Sequence, residues 1–347
     1  MTKNSRSYQQ SIIAWLSVLC TLIVLMVLIG GFTRLTDSGL SITEWNPISG
    51  VLVPITEDSW QIEFEKYKQS PEFININYAM SLSEFKSIYI IEFIHRIAAR
   101  VTGIVLIVPF LYFLLQGAFK PRDIFIYLGA IVLLLLQGFV GWYMVKSGLV
   151  LDPHVSHFRL ALHLILAVIL YLLLLWQIFK NTNQFILLST QKSPISSLFW
   201  GKISIIFILI QIMLGAFVAG LKGGLIYNDF PLMGKKFIPY ELLHIKFGWH
   251  LLSDPVLAQF LHRVMAYILT IIIVIYAVKL VKLGSLKLTK SAILLLSALA
   301  IQISSGIFTL THAVPITAAL IHQLGSVLLI SCIMWSYYLL TTNKSNV

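Results

Sequence analysis

The sequence predicts an all-α integral membrane protein, with eight transmembrane helices arranged as two parallel four-helix repeats. Three observations carry this. Of 347 residues, 58% are hydrophobic and 11% charged, with mean hydropathy +0.87; soluble chains sit near 45–50% apolar and about 25% charged. Eight apolar runs reach the roughly 20 residues that a span needs. A five-residue signature also recurs just inside two of those runs, as Glu92-Phe93-Ile94-His95-Arg96 and Gln259-Phe260-Leu261-His262-Arg263.

The runs fall at 12–32, 87–116, 124–144, 157–179, 198–220, 257–279, 291–312 and 315–340. Residues 1–10 are polar, and no small-residue cleavage site follows the first run, which reads as a retained helix and not a signal peptide. Between the first two runs, residues 51–86 form a polar, acidic stretch with helix-like spacing (Glu57, Asp58, Glu63, Glu65, Glu72, Glu84). The second run is longer than a span needs and carries Glu92, His95, Arg96 and Arg100 in its first half. A short polar linker, about 180–197 and containing Pro194, separates the halves 1–197 and 198–347.

The repeat shows at several points, which fixes the architecture. Gly31-Phe32 through Ser38-Gly39-Leu40 to Trp45-Asn46-Pro47 resembles Gly215-Ala216-Phe217 through Gly223-Gly224-Leu225 to Asp229-Phe230-Pro231. Helix 3 carries Gln137 and Gly141, and helix 7 carries Gln302 and Gly306 at the same spacing. Four spans per half give both halves one orientation, unlike the inverted repeats common in transporters.

Charge sets that orientation. With the N-terminus inside, the inner segments hold twelve cations (Lys3, Arg6, Lys120, Arg122, Lys180, Lys192, Lys202, Lys279, Lys282, Lys287, Lys290, Lys344) against one acid, Asp123. The longer outer loops hold nine cations and twelve acids. This asymmetry follows the positive-inside rule and places both termini in the cytoplasm. The net charge of +11 therefore reflects topology and not nucleic-acid binding. No Arg- and Ser-rich transit sequence precedes the first run, which points to a bacterial inner membrane. The two cysteines, Cys20 and Cys332, lie in different helices without a CxxC or CxxCH context, so neither covalent haem attachment nor an outer-loop disulfide is expected.

A histidine inside a span is costly and marks a site. His163 follows the first signature and His322 the second, giving two histidine pairs in one duplicated chain. All four lie roughly 6–8 residues past their predicted helix starts, about 9–12 Å below the outer boundary at 1.5 Å per residue. Facing helices of a bundle build cofactor sites this way, and paired imidazoles point to haem ligation. His154, His157, His244, His250 and His312 lack the repeat relation and read as surface or interface residues. Arg96 and Arg263 adjoin their histidines and Arg159 precedes His163 by four residues, placing all three as partners for a haem propionate. For Arg96 an ion pair with Glu92, one turn earlier, competes with that reading. Glu92 faces the same region as His95, where a carboxylate can move protons. Gln259 in the second half cannot titrate. If the halves have diverged, catalysis belongs to the first and a permanent cofactor to the second; a purely structural Glu92–Arg96 pair stays open.

These residues resemble the haem A synthase family over nearly the whole chain. The resemblance rests on Thr33-Arg34-Leu35-Thr36-Asp37-Ser38-Gly39-Leu40-Ser41, Trp45-Asn46-Pro47, the two signatures, Val155 through His163, and Gly224 through Met233. It implies an enzyme that oxidises the C8 methyl of haem O to a formyl group by successive hydroxylations, making haem A for cytochrome oxidase. It also implies that His262 and His322 ligate a resident haem b, that His95 and His163 serve the substrate haem, and that Glu92 is the catalytic carboxylate. Some members carry a cysteine pair in the first outer loop; this chain resembles the subgroup without it. The resemblance further allows a complex with the upstream haem O synthase and a homo-oligomer, while the electron donor stays unnamed. Two rivals use the same features. A di-haem electron-transfer cytochrome would need the four histidines but not Glu92. A transporter is disfavoured by the parallel repeat and by histidines near one face instead of the midplane.

Overall fold

Each long apolar run folds into one helix. The computed structural model describes residues 8–46, 50–150, 153–182, 194–244, 248, 251 and 253–342. Its long helices are α1 (Gln9–Leu35), α4 (Leu82–Leu115), α5 (Pro121–Gly148), α6 (His157–Thr182), α7 (Ile195–Gly220), α9 (Pro255–Lys282), α10 (Leu286–Thr311) and α11 (Ile316–Thr342). Shorter helices are α2 (Glu57–Lys68), α3 (Pro71–Asn75) and α8 (Tyr240–Leu243). Among the described residues no strand forms, and 8 helices are long and apolar enough to cross a membrane. The chain is a multi-pass membrane protein. Pro47, His250 and linker residues 183–193 lie outside the described residues.

Local chemistry sets the helix ends. Pro121 and Pro255 occupy the first turns of α5 and α9, where proline's missing N–H has no partner to lose. Asp254 caps α9 by accepting from Leu257 N at 2.8 Å, and Lys279 and Lys282 sit at its carbonyl end, where cations favour the helix dipole. Cys20 and Cys332 are both free and buried.

The chain forms two compact units, Met1–Tyr171 and Leu172–Val347, whose border falls within α6. In the second, α7 packs on α9 and α11, α9 on α10 and α10 on α11, which closes a four-helix ring. In the first, α4 packs against α1 and α5 and extends outward to meet α2.

That extension corrects the sequence boundary. The apolar run suggests a start near residue 87, but α4 begins at Leu82. A capping box explains it: Ser81 N donates to Glu84 Oε2 at 2.8 Å and Glu84 N to Ser81 Oγ at 3.3 Å, satisfying amide groups that water would otherwise take. The added turns supply Phe85 and Tyr89 to a separate outer core with Ile42, Trp60, Phe64 and Tyr67. Phe85 stacks on Phe64 at 5.0 Å and on Tyr67 at 5.2 Å, and Trp60 meets Tyr89 edge-on at 5.1 Å. Tyr67 donates to buried Glu72 at 2.9 Å and accepts from Asn77 at 2.8 Å. Lys66 reaches Glu44 at 3.1 Å, and that hydrogen bond holds the Glu44 carboxyl below its usual range. The pair is exposed, so aromatic packing carries the energy.

The acidic stretch is thus a small folded cap on the first turns of α4. Replacing Trp60 with alanine removes a side chain whose loss from a core costs about 3–5 kcal/mol. Trp60→Ala should expose residues 51–80 to limited proteolysis while the spanning helices stay intact. Unchanged cleavage would show that the cap does not depend on this core.

Candidate functional site

All four predicted histidines lie against glycines, and each glycine comes from the preceding spanning helix. A Cβ built on Gly30 of α1 would meet His95 Cε1 at 3.5 Å; on Gly141 of α5, His163 Cε1 at 3.2 Å. In the second unit the same contact is 3.1 Å from Gly215 of α7 to His262 and 2.7 Å from Gly306 of α10 to His322. The imidazole edges fill space that any larger residue would claim. All four histidines nonetheless stay part-exposed, so each borders open volume as well as a glycine.

Counted along the helices, His163, His262 and His322 lie six, seven and six residues past the first helical residue, but His95 lies thirteen past Leu82. The outward extension of α4 accounts for the difference.

Within the second unit the His262 and His322 ring centroids are 6.5 Å apart, with the planes at 85°. A metal held by two imidazole nitrogens at about 2.0–2.1 Å each needs facing rings at about this separation. Within the first unit His163 Nδ1 is a buried nitrogen without a hydrogen-bond partner. Among the described residues no three His, Cys, Asp or Glu side chains gather as ligands. Two imidazoles alone suit an iron that a porphyrin already coordinates in its plane. The donor set, the glycine cradles and the orphaned nitrogen therefore fit haem.

Glu92 is 3% exposed and fully hydrogen-bonded. Oε1 accepts from Arg96 NH2 at 2.6 Å and Nε at 3.0 Å, and Oε2 accepts from Ser41 Oγ at 2.8 Å and Ile42 N at 2.9 Å. Of the two partners weighed for Arg96, the structure forms the ion pair. Arg96 also donates to the carbonyls of Ile42 and Glu44, both at 2.9 Å. Glu92 and Arg96 together clamp the chain after α1 onto α4.

The second unit has a matching clamp with different polarity. Arg263 donates to the carbonyls of Tyr227 at 3.0 Å, Asp229 at 2.8 Å and Leu232 at 3.0 Å. Tyr227 stands where the register of Leu40 and Leu225 in the repeat places Ile42. Gln259 donates to the Tyr227 carbonyl at 2.8 Å, whereas Glu92 accepts from the Ile42 amide. Ser41 was not singled out by the sequence reading. Its repeat counterpart is Ile226, so the asymmetry is a carboxylate with a hydroxyl against an amide with an alkyl group.

Arg159 keeps more of its guanidinium available. It stacks 3.6 Å over the Tyr143 ring and donates to the Tyr143 carbonyl at 2.6 Å. A cavity of about 380 Å³ opens beside α4 and is lined by Arg96, Arg100, Glu44, Asn46 and Tyr89 among others. Of the histidines outside the pairs, His157 is buried against Phe158 and His312 lies against Phe308, each at 4.0 Å, and His244 lies against Tyr240 at 4.4 Å. Two further polar neighbours in the second unit also escaped the sequence reading. Gln211 Nε2 lies 3.1 Å from His262 Nδ1, and Ser305 Oγ lies 3.1 Å from His322 Nδ1.

Two histidine pairs lie on the apolar helices of a multi-pass membrane protein, in surroundings that suit haem. Comparison with known sequences narrows that class. The family model COX15-CtaA, described as cytochrome oxidase assembly protein, matches residues 13–334, and the chain belongs to this family. It is 49% identical over 336 residues to Heme A synthase of Rickettsia felis, covering 96% of this chain and 100% of that protein. Heme A synthase of Rickettsia bellii is 48% identical over 332 residues, covering 96% and 99%. Heme A synthase of Rickettsia canadensis is 48% identical over 337 residues, covering 97% and 100%.

Proposed function

We infer that this chain is a haem A synthase, a membrane oxidoreductase that converts the C8 methyl of haem O into the formyl group of haem A for cytochrome oxidase. The single observation that carries the reading is near-half identity to Heme A synthases across 96% of the chain. The two histidine pairs supply the haem chemistry such an activity requires. In this reading the chain is two parallel repeats. Residues 1–197 form the catalytic half, with His95 and His163 serving the substrate haem, and residues 198–347 hold a resident haem b through His262 and His322.

A bound haem supplies the electron and oxygen chemistry that no side chain offers. The chain's own residues orient it and handle protons. Glu92 is the proposed catalytic carboxylate. Its donors are two guanidinium N–H groups, one amide N–H and the Ser41 hydroxyl, and of these only the hydroxyl also accepts. Proton traffic at Glu92 Oε2 therefore runs through Ser41 Oγ. Arg159, with one described hydrogen bond, is the freest of the three expected propionate partners, since Arg96 divides its bonds between Glu92 and two carbonyls and Arg263 gives three to carbonyls. The positive-inside count places both termini in the cytoplasm of a bacterial inner membrane. Haem O synthase is the natural donor of the substrate, in a complex or through the bilayer, and a homo-oligomer is compatible with the exposed apolar helix faces.

The test is haem extraction and chromatography from host membranes that make haem O, with and without this chain. Haem A or its hydroxylated intermediate should appear only with the chain. Purified protein that binds haem b yet leaves haem O unchanged, with an electron donor present, would instead make it a di-haem cytochrome.

A further inference from the structure

A histidine that binds a metal through one ring nitrogen normally donates its other N–H to a fixed acceptor, which sets the tautomer, orients the ring and raises its basicity. The two units differ in this respect. In the second unit, Gln211 Nε2 lies 3.1 Å from His262 Nδ1 and 3.3 Å from His262 Nε2, and donates to the His262 carbonyl at 3.1 Å. The Gln211 Oε1 atom is buried without a partner. Turning the amide by half a rotation presents that oxygen to an Nδ1–H and gives up the bond to the His262 carbonyl in exchange. Ser305 Oγ donates to the Gln302 carbonyl at 3.0 Å, which leaves its lone pairs to accept from His322 Nδ1 at 3.1 Å. Each second-unit imidazole thus has a neighbour that can accept an Nδ1–H: Ser305 as it stands and Gln211 once its amide turns.

The glycine cradles identify the corresponding first-unit positions. Gln211 precedes Gly215 by four residues, as Met26 precedes Gly30, and Ser305 immediately precedes Gly306, as Val140 precedes Gly141. A thioether sulfur is only a weak acceptor for an imidazole N–H, and an isopropyl group is none. His163 Nδ1 is accordingly buried with no partner.

We propose that Gln211 and Ser305 are positioning residues that lock His262 and His322 as permanent haem ligands, and that Met26 and Val140 leave the first-unit histidines unlocked so that their porphyrin can exchange. This rests on the proposed division of labour between the halves and adds its physical cause: one site must keep its haem, while the other must release each product.

The experiment uses purified full-length protein carrying its haem, challenged with an excess of a haem-scavenging apoprotein, alongside redox titration of the low-spin absorption. Loss of such outer partners typically weakens metal affinity about 10–100-fold. Gln211→Met and Ser305→Val, which install the first-unit residues, should release low-spin haem faster by a factor in that range and raise its midpoint potential. Ser305→Thr, which keeps the hydroxyl, should behave as the parent protein. Parental retention and potential in both Gln211→Met and Ser305→Val would overturn the proposal, and so would equal loss from Ser305→Thr and Ser305→Val. Should those variants fail to accumulate, the reciprocal Met26→Gln/Val140→Ser variant decides. It should slow porphyrin release from the first unit, and unchanged release would overturn the idea. Retention of low-spin haem by both His262→Ala and His322→Ala would instead remove the underlying assignment of the resident site.

Discussion

Glu92→Gln should abolish haem A formation while leaving the resident haem b bound. The repeat makes this a clean substitution. The second unit already carries glutamine at the corresponding position, and Arg263 there still reaches three backbone carbonyls. Arg96 has its own bonds to the Ile42 and Glu44 carbonyls, so a glutamine at 92 leaves the clamp its main-chain partners. What it removes is the carboxylate that accepts from Ser41 and is proposed to exchange protons with it. General acid–base groups contribute about 10²–10⁴-fold, and a loss of that size is expected in product measured by chromatography. Arg96→Ala gives the contrast. It strips two donors from a buried carboxylate, and breaking such a pair costs about 3–5 kcal/mol, so protein yield and haem content should fall together. Normal haem A from Glu92→Gln would end the catalytic assignment, and loss of haem b along with activity would return Glu92 to a structural role.

The fold was largely legible because lipid leaves little choice: a chain crossing hydrocarbon must bond its own backbone, so apolar length translates into helices. All eight runs became helices. The histidines were legible for a related reason, since polar rings in apolar runs stand out. The boundary of α4 was hidden because it depends on aqueous chemistry. The signal, Ser81 followed three residues later by Glu84, belongs to helix capping and not to hydropathy. The arginine clamps were half visible. Arg96 and Glu92 share a helix face, but the carbonyls of Ile42, Glu44, Tyr227 and Asp229 lie 31 or more residues away in sequence, and no side-chain pattern announces a main-chain acceptor. The spacing shared by Gln137–Gly141 and Gln302–Gly306 was read as a mark of duplication. Its physical content, a bare patch of helix on which an imidazole rests, needed the neighbouring helix in view.

Those bare patches yield a graded expectation. An added methyl at Gly306 would stand 2.7 Å from His322 Cε1, at Gly215 3.1 Å from His262, at Gly141 3.2 Å from His163 and at Gly30 3.5 Å from His95. Carbon atoms are comfortable at about 3.5–4.0 Å, so the first contact forces a shift, the next two press on the ring, and the last is ordinary packing. The His322 ring has little freedom to yield, because Ser305 Oγ stands 3.1 Å from its Nδ1, on the side of the ring that faces Gly306. Gly306→Ala should therefore lose most of its low-spin haem, and Gly215→Ala should retain a perturbed fraction. Gly141→Ala should keep haem b but weaken turnover, whereas Gly30→Ala should resemble the parent in both. Overpacking alone costs about 1–3 kcal/mol wherever it occurs, so protein yield does not separate these variants. The ordering of haem spectrum against product does. A Gly306→Ala protein with an unaltered low-spin spectrum, beside a Gly30→Ala protein that loses activity, would mean that the glycines serve helix packing and that the imidazoles are placed by something else.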